Sequence, residues 1–221
     1  LIKKKLALSL CGNKNIAFDN IEILSRDRKA KLHHIKNIKT LPYKIKRIVL
    51  TDIIKITSKK KNLNKYINIV DPLIMGVLNL TPDSFSDGGL YNESKKAFSH
   101  IRNMISSGAD IIDIGGESTR PGSKNMSDKK EWKRLKIVIS NFKKKFPKTF
   151  LSIDTRKSDI MLRAIKYKSD LINDVSGFNY DSKAINRIKK YNVWKVLHHM
   201  QGSPNTMQIK PNYKNVLLDI Y

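Results

Sequence analysis

The chain has 221 residues, of which 40% are hydrophobic and 29% charged, and its formal net charge is +25 at pH 7. This length holds one large domain or one domain with an extension, and no apolar run approaches the roughly 18 residues that a membrane span needs. Cys11 is the only cysteine, which excludes an internal disulfide and suits a reducing compartment, so we expect a cytoplasmic protein with no membrane segment.

Residues 1–70 are predicted to be a basic N-terminal extension. They carry 18 Lys and Arg against 4 Asp and Glu, a net charge of +14. Alternating pieces such as Asn20–Leu24 and Lys46–Leu50 indicate a small α/β unit, and no motif here carries recognisable chemistry. The His33–His34 pair is interpreted as a solvated turn, because no third metal ligand lies nearby. The apolar piece Leu6–Cys11 is shorter than the roughly 7–15 residues of a signal-peptide core.

The positive charge has two interpretations. One is nucleic-acid binding, for which clustered Lys and Arg are the electrostatic footprint. The other is compositional bias, because nine of the 44 basic residues are Arg and the chain is also rich in Lys, Ile and Asn. Arg makes most bidentate contacts to bases and phosphates. We therefore do not expect nucleic acid to be the primary ligand, and we expect the charge to help attract anionic substrates.

From residue 72 onward, apolar strand runs alternate with helical periodicity. Ala97, Ile101, Met104 and Ile105 follow helical spacing, and Gly108 is then a candidate C-cap. A repeat of strand, loop and helix predicts a parallel sheet with right-handed crossovers. The other predicted helices begin behind Ser127 or Asp128, run from Ser158 through Ile165, and run from Ala184 to Tyr191. The predicted strands are Leu73–Leu78, Asp110–Ile114, Phe150–Ile153, Asp170–Ile172 and Val193–Leu197.

Polar residues at the strand ends decide between an open doubly wound sheet and a barrel. An open sheet places ligands mainly at one switch point, whereas a barrel brings all its strand ends to one axis. Because successive strands each contribute a polar residue, we predict an α/β fold of the (β/α)8 TIM barrel type, truncated to about five βα units at residues 71–221. The strand-end residues are Asn79, Asp113, Asp154, Asn173 and the pair His198–His199.

Asp113, Asp154 and Asn173 are each embedded in apolar residues. A buried carboxylate costs several kcal/mol unless it is paired or hydrogen-bonded, so caps and loops or a shared ligand must satisfy these groups. Their position on successive strands favours a shared ligand, namely a flat heterocycle rich in N–H and C=O groups. At most one of His198 and His199 lines this site, because adjacent side chains point apart.

Two glycine-rich loops carry further candidates. The loop within Gly76–Gly89 contains Asn79 and Asp83, whose oxygens suit a hard cation such as Mg²⁺; a turn with Asn as cap is the alternative. The loop within Ile112–Gly122 places Thr119 and Arg120 after two glycines. Arg120 suits a phosphate oxygen or an aromatic carboxylate, with a salt bridge to Glu117 or another nearby acid as the alternative.

These motifs make the chain from about Pro72 to Tyr221 similar to the N-terminal part of the dihydropteroate synthase family. The resemblance implies a barrel that condenses 6-hydroxymethyl-7,8-dihydropterin diphosphate with p-aminobenzoate to give 7,8-dihydropteroate and diphosphate in folate biosynthesis. It also implies that Mg²⁺ is required and that the full-length protein is a homodimer. The match is carried, in the family's order and spacing, by Gly76–Gly89, Ile112–Gly122, Ser152–Thr155, Ile172–Asp174 and His199–Gly202.

The resemblance also implies roles for individual positions. Residues near the strand ends resemble the metal ligand and the contacts of pterin diphosphate, and the two loops resemble the p-aminobenzoate site. Asp113 would ease positive charge at the methylene carbon that diphosphate leaves, and Mg²⁺ would neutralise the leaving group. The expected catalytic residues are Asp113 and Arg120, the expected metal ligand is Asn79, and the expected substrate contacts are Thr119, Asp154, Asn173, Phe85, Pro121 and His199.

The chain departs from the family pattern in two respects. Arg156 stands where many relatives carry a small residue, which alters the charge near the site. The family's later strands, with a further Asp, a Lys, an Arg and a His, are absent, so we expect a partial sequence and an inactive fragment. The alternatives are a pterin-binding barrel like methyltetrahydrofolate–corrinoid methyltransferase and a basic nucleic-acid-binding protein resting on residues 1–70.

Overall fold

The computed structural model describes residues 2, 6–64, 67, 72–81, 89–117, 126–203 and 206–221. The chain divides into two compact units, Leu1–Val70 with Tyr213–Tyr221, and Asp71–Asn212. Tyr213–Tyr221, which the predicted range 71–221 includes, therefore groups with the first unit. Among the residues described, no helix is both long enough and apolar enough to span a membrane.

The first unit is a small α/β assembly. Strands β1 and β2 form one antiparallel hairpin and β3 and β4 a second, and a 3-10 helix at Ile35–Thr40 leads into helix α1. Among the residues described in this unit, few side chains are buried; Ala7 and Ile38 are two of them. The elements are β1 (Leu8–Leu10), β2 (Asn13–Phe18), β3 (Asn20–Ile23), β4 (Lys31–His34) and α1 (Tyr43–Thr57).

Two details of the sequence interpretation are wrong in this unit. Lys46–Leu50 lies inside α1, because a short alternating piece cannot be told from part of an amphipathic helix by its pattern alone. His33 and His34 end strand β4 instead of forming a turn. The His34 Nδ1 atom accepts a hydrogen bond from the amide of Lys36 at 3.1 Å, so this side chain caps the 3-10 helix.

The second unit is built on a five-stranded parallel sheet whose strands lie in chain order. Each strand falls within two residues of its predicted range, because each apolar run is ended by a polar or glycine-rich loop. The strands are β5 (Met75–Asn79), β6 (Ile111–Gly115), β7 (Phe150–Asp154), β8 (Leu171–Asp174) and β9 (Trp194–Leu197). The helices that alternate with them are α2 (Gly89–Ser106), α3 (Asp128–Lys145), α4 (Ser158–Lys166) and α5 (Ala184–Ile188).

These four helices pack on one face of the sheet. Leu78, Ile112, Ile153 and other strand residues of the same face form a buried cluster with apolar residues of all four helices, and successive helices are in contact. Each fully buried aliphatic side chain contributes roughly 1.5–3 kcal/mol. Helices on a single face form a barrel wall, whereas a doubly wound sheet carries helices on both faces. The predicted α/β fold, a truncated (β/α)8 barrel, is confirmed.

Helix ends in this unit follow the local sequence. Gly108 lies just past α2 with φ +102°, a conformation that strains any residue with a Cβ atom, and its amide donates to the carbonyl of Ile105 at 3.0 Å. Ser127 is the N-cap of α3, as predicted, although its side chain makes no capping hydrogen bond. In the first unit, helix α6 (Val216–Ile220) begins after Asn215, whose side chain accepts a hydrogen bond from the amide of Leu218.

Candidate functional site

The face of the sheet opposite the helices carries the polar residues that the sequence singled out. Asn79, Gly115, Asp154 and Asn173 occupy one row across β5 to β8. Asp113 lies two residues before Gly115, so it points to the same face. The C-terminal ends of four neighbouring strands therefore place an amide, two carboxyl groups and a second amide along one side of the sheet.

Asp113 is the centre of a buried hydrogen-bond network. Its side chain is 4% exposed, and its Oδ2 atom accepts from Asn173 Nδ2 at 3.1 Å. Its Oδ1 atom accepts from Ser152 Oγ at 2.5 Å. Burial raises the pKa of Asp113, while the hydrogen bonds from Ser152 and Asn173 oppose that rise. The structure thus brings Asp113 and Asn173 together across the intervening strand β7.

Asp154 lies at the end of β7, and Gly115 separates it from Asn79. A Cβ atom on Gly115 would lie 3.2 Å from Asn79 Oδ1 and 3.4 Å from Asp154 Oδ2, so glycine leaves room for both oxygens. Burial, and next the negative charge of Asp113, raise the pKa of Asp154 to about 7. A carboxyl group with this pKa can accept or donate a hydrogen bond near neutral pH.

Asn79 is the candidate ligand for a metal ion. It is exposed at the end of β5, and its amide oxygen is a hard donor of the kind that Mg²⁺ prefers. Within the described ranges, no group of three or more His, Cys, Asp or Glu gathers as a metal site. Mg²⁺ does not require such a group when substrate phosphates and water complete its shell. The donor at Asn79 therefore fits Mg²⁺ that arrives with a phosphate ligand.

Asp174 follows Asn173, but its side chain forms hydrogen bonds within the loop that follows β8. Its side chain is fully buried, and it accepts hydrogen bonds from the amide of Ser176 at 2.8 Å and the amide of Phe178 at 3.1 Å. The hydroxyl of Ser176 also donates to it at 2.7 Å. Internal satisfaction, which the sequence left open for each buried carboxylate, applies to Asp174.

The remaining predicted site residues are less well placed. His199 is exposed past the end of β9, and the neighbouring His198 has its Nδ1 atom 3.1 Å from the carbonyl oxygen of Val175. A substrate contact for His199 stays a prediction. The other predicted residues lie outside the described ranges; they are Asp83, Phe85, Thr119, Arg120 and Pro121.

The sequence singled out Glu117 and Arg156 separately, but it did not predict that they join Glu131 and Lys157 in a set of four buried charged residues, which we call the ionic cluster. Each is at most 7% exposed. Lys157 Nζ lies 2.6 Å from Glu131 Oε2 and 3.2 Å from Glu117 Oε2. Arg156 Nη2 lies 3.1 Å from the same Glu117 oxygen. The two positive and two negative charges balance, so the extra charge that Arg156 introduces is neutralised locally.

The surroundings of Glu117 explain its ionisation. Burial alone would raise the pKa of Glu117, but the hydrogen bond from the amide of Met126 and the charges of Lys157 and Arg156 outweigh burial and lower it. The Met126 amide donates to Glu117 Oε1 at 2.9 Å. Arg156 also stacks its guanidinium over the ring of Tyr180 at 4.1 Å.

One feature of the sequence did point to the ionic cluster. Glu131 lies four residues before Leu135, on the face of α3 that also presents Val138 and Phe142 to the core. A glutamate in the apolar stripe of a helix is expected to have a buried cationic partner. The sequence does not identify that partner, because a lysine-rich chain offers many candidate cations.

Comparison with known proteins supports a specific family. The family model described as pterin binding enzyme matches residues 75–220. Dihydropteroate synthase of Haemophilus influenzae is 40% identical over 157 residues, which cover 71% of this chain and 56% of that protein. The chain therefore spans about half the length of this relative.

Two solved structures show the same likeness. Dihydropteroate synthase of Yersinia pestis, in complex with a sulfonamide drug, has a TM-score of 0.62 and 38% identity, covering 69% of this chain and 55% of that one. Dihydropteroate synthase of Burkholderia cenocepacia, complexed with 7,8-dihydropteroate, has a TM-score of 0.58 and 36% identity, covering 69% and 50%.

Proposed function

Because the chain belongs to the family of pterin-binding enzymes, we propose that its protein is a dihydropteroate synthase, a transferase of folate biosynthesis. The amine nitrogen of p-aminobenzoate attacks the methylene carbon of 6-hydroxymethyl-7,8-dihydropterin diphosphate. The carbon–oxygen bond to diphosphate breaks, the amine loses a proton, and 7,8-dihydropteroate is formed. The relative from Burkholderia cenocepacia, whose structure contains 7,8-dihydropteroate, supports this choice of product.

The observation that carries the proposal is the hydrogen-bonded pair Asp113–Asn173 with Asp154 nearby. A carboxylate accepts hydrogen bonds from ring N–H and amino groups, and an amide both donates and accepts. The pterin ring presents such groups along one edge. Asp113, partly shielded from water, would also stabilise positive charge that develops beside the ring as diphosphate departs. No side-chain nucleophile is needed, because the amine is itself the nucleophile.

Mg²⁺ is the cofactor that we propose for this reaction, with Asn79 as its ligand from this chain. When bound, the ion neutralises the diphosphate leaving group. The predicted roles of Thr119, Arg120, Phe85 and Pro121 in binding the diphosphate and p-aminobenzoate belong to the same proposal. So do the homodimer of the full-length protein, which the resemblance implies, and the cytoplasmic location expected from the single cysteine.

Binding of pterin diphosphate tests the proposal directly. We expect the chain to bind 6-hydroxymethyl-7,8-dihydropterin diphosphate, and quenching of the pterin fluorescence during a titration measures this binding. Asp113→Ala and Asn173→Ala should each weaken binding by about tenfold or more, because each leaves a buried hydrogen-bonding group of the bound pterin ring unsatisfied. Asn186→Ala, at an exposed residue of α5, is the control, and thermal melting of each variant checks the fold. Preference for methyltetrahydrofolate over pterin diphosphate would instead favour the methyltransferase-like alternative.

The role of Asn79 is tested by the Mg²⁺ dependence of the same titration. In the wild-type chain, Mg²⁺ should tighten binding of the diphosphate ligand but not of 6-hydroxymethyl-7,8-dihydropterin, which lacks phosphates. Asn79→Ala should remove most of this Mg²⁺ effect and leave binding of the unphosphorylated pterin unchanged. An Asn79→Ala variant with the full Mg²⁺ effect would show that Asn79 is not the ligand.

A further inference from the structure

The ionic cluster joins three separate segments of the chain near the ends of β6 and β7. Glu117 lies two residues past the end of β6, Glu131 lies in the first turn of α3, and Arg156 and Lys157 follow β7. All four side chains are buried, so water screens their interactions weakly. Their contacts therefore link the loops that leave two adjacent strands to the helix between those strands.

The segment directly after Asp154 is held by several of these contacts. Thr155 Oγ1 donates to Glu131 Oε1 at 2.7 Å, and Lys157 Nζ donates to Glu131 Oε2 at 2.6 Å. The backbone amide of Thr155 donates to the carbonyl of Asn173 at 3.0 Å. Each of the three residues after Asp154 is thus fixed, because Arg156 is itself paired with Glu117.

Glu117 connects this segment to the neighbouring loop. The Oε2 atom of Glu117 contacts Arg156 and Lys157, and its Oε1 atom accepts a hydrogen bond from the amide of Met126. Arg134 also holds this loop, because its Nη1 atom donates a hydrogen bond to the carbonyl of Gly116, the residue before Glu117, at 2.9 Å. Glu117 and Met126, which are nine positions apart in the chain, are therefore held together and tied to the residues that follow Asp154.

Stability alone is a poor explanation for such a cluster. Replacing buried ion pairs by apolar groups of similar size is often neutral or stabilising. Directional contacts between charged groups do, however, fix one geometry, which a catalytic site requires of the shell around it. The ionic cluster fixes the three residues that directly follow Asp154 in the chain. Fixing these residues therefore has a consequence for ligand binding at Asp154.

We propose that Glu117, Glu131 and Lys157 are positioning residues that hold Asp154 in place for the pterin ligand. They act through the segment 155–157 and do not touch the ligand themselves. This inference rests on the proposed function for its ligand, while the geometric coupling that it asserts can be measured without any ligand.

The test compares a neutral variant with a surface control. The neutral variant combines Glu117→Gln, Glu131→Gln, Arg156→Met and Lys157→Met, which removes all four charges together and leaves no buried charge unpaired. The control is Asp159→Asn, which removes the charge of an exposed carboxylate that pairs with Arg187 at 2.6 Å in the same unit. Affinity for 6-hydroxymethyl-7,8-dihydropterin diphosphate, the melting temperature and amide hydrogen exchange are measured for both.

We expect the neutral variant to melt close to the wild type but to bind the ligand about tenfold or more weakly. Amide exchange at Met126 and at residues 155–157 should accelerate by about tenfold. The control should leave the melting temperature, the affinity and the exchange rates unchanged. A purely structural role would lower the melting temperature and the affinity together, so lost affinity in a chain of unchanged melting temperature distinguishes positioning from folding.

Two results would overturn the inference. One is wild-type affinity in the neutral variant, and the other is unchanged exchange at residues 155–157 in Glu117→Gln alone. If the wild-type chain binds no pterin diphosphate, the expectation that this chain binds the ligand by itself fails, and the exchange measurement alone decides the coupling: acceleration at residues 155–157 supports it, and unchanged exchange there refutes it.

Discussion

Lys157→Met is expected to destabilise the second unit by about 3–5 kcal/mol, the usual cost of leaving a buried charge without its partner. Glu131 is 0% exposed, and its Oε2 atom lies 2.6 Å from Lys157 Nζ. Without that ammonium group, the Glu131 carboxylate stays buried in the apolar face of α3 with no cation beside it. This costs free energy in the folded chain but not in the unfolded chain.

Denaturant unfolding followed by tryptophan fluorescence measures this effect. Both tryptophans, Trp132 and Trp194, lie in the second unit, so the signal reports the unit that contains the ionic cluster. The double variant Lys157→Met with Glu131→Gln should recover most of the loss, because no buried charge remains unpaired at Glu131. Asp159→Asn, in the exposed ion pair with Arg187, should cost at most about 1 kcal/mol. A loss of that small size for Lys157→Met would mean that Glu131 is hydrated.

Asp154→Asn is expected to stabilise the second unit by about 4 kcal/mol above pH 7 and to have no effect near pH 3. The pKa of Asp154 is about 7 in the folded chain, against an ordinary value of 3.8. Between these values the folded state binds a proton that the unfolded state has lost, so stability falls as pH rises. The loss is complete above pH 7, where Asp154 must be ionised in its buried position. Asparagine has nearly the same shape as aspartate but carries no charge, so Asp154→Asn avoids the free-energy cost of a buried carboxylate.

The measurement is denaturant unfolding in metal-free buffer at several values between pH 3 and pH 8. Asp181→Asn is a control of opposite sign: a hydrogen bond from Ser158 lowers the pKa of Asp181. Asp181 therefore contributes stability above its ordinary pKa that is lost as pH falls through its folded pKa. A stabilisation by Asp154→Asn that does not change with pH would contradict the raised pKa and would indicate a steric effect.

Much of the fold follows from patterns within single segments. The five strands were predicted because apolar runs such as Ile111–Ile114 end at glycine or polar loops, and the structure places each strand within two residues of that prediction. The strand-end rule also predicted that Asp113 and Asn173 would meet, and a hydrogen bond joins them. Lys46–Leu50 shows where this approach is weakest, because five alternating residues fit a strand and a helix equally well.

The ionic cluster could not be predicted in the same way. Its contacts join residues 26 and 39 positions apart in the chain, and a lysine-rich sequence offers many cations that could pair with Glu131 or Glu117. Ser152 was missed for a similar reason. A serine inside a strand carries no sign that its hydroxyl will reach a carboxylate on the neighbouring strand.

The order of apolar and polar residues by itself determined the parallel strands, the helices between them, and the presence of Asp113, Asp154 and Asn173 at strand ends, because period and strand direction are local properties of a chain. Only the tertiary structure decided which of these groups touch, which cations reach Glu117 and Glu131, and that the pKa of Asp154 rises to about 7. Those outcomes depend on distances and burial, which are set when separate elements pack against one another.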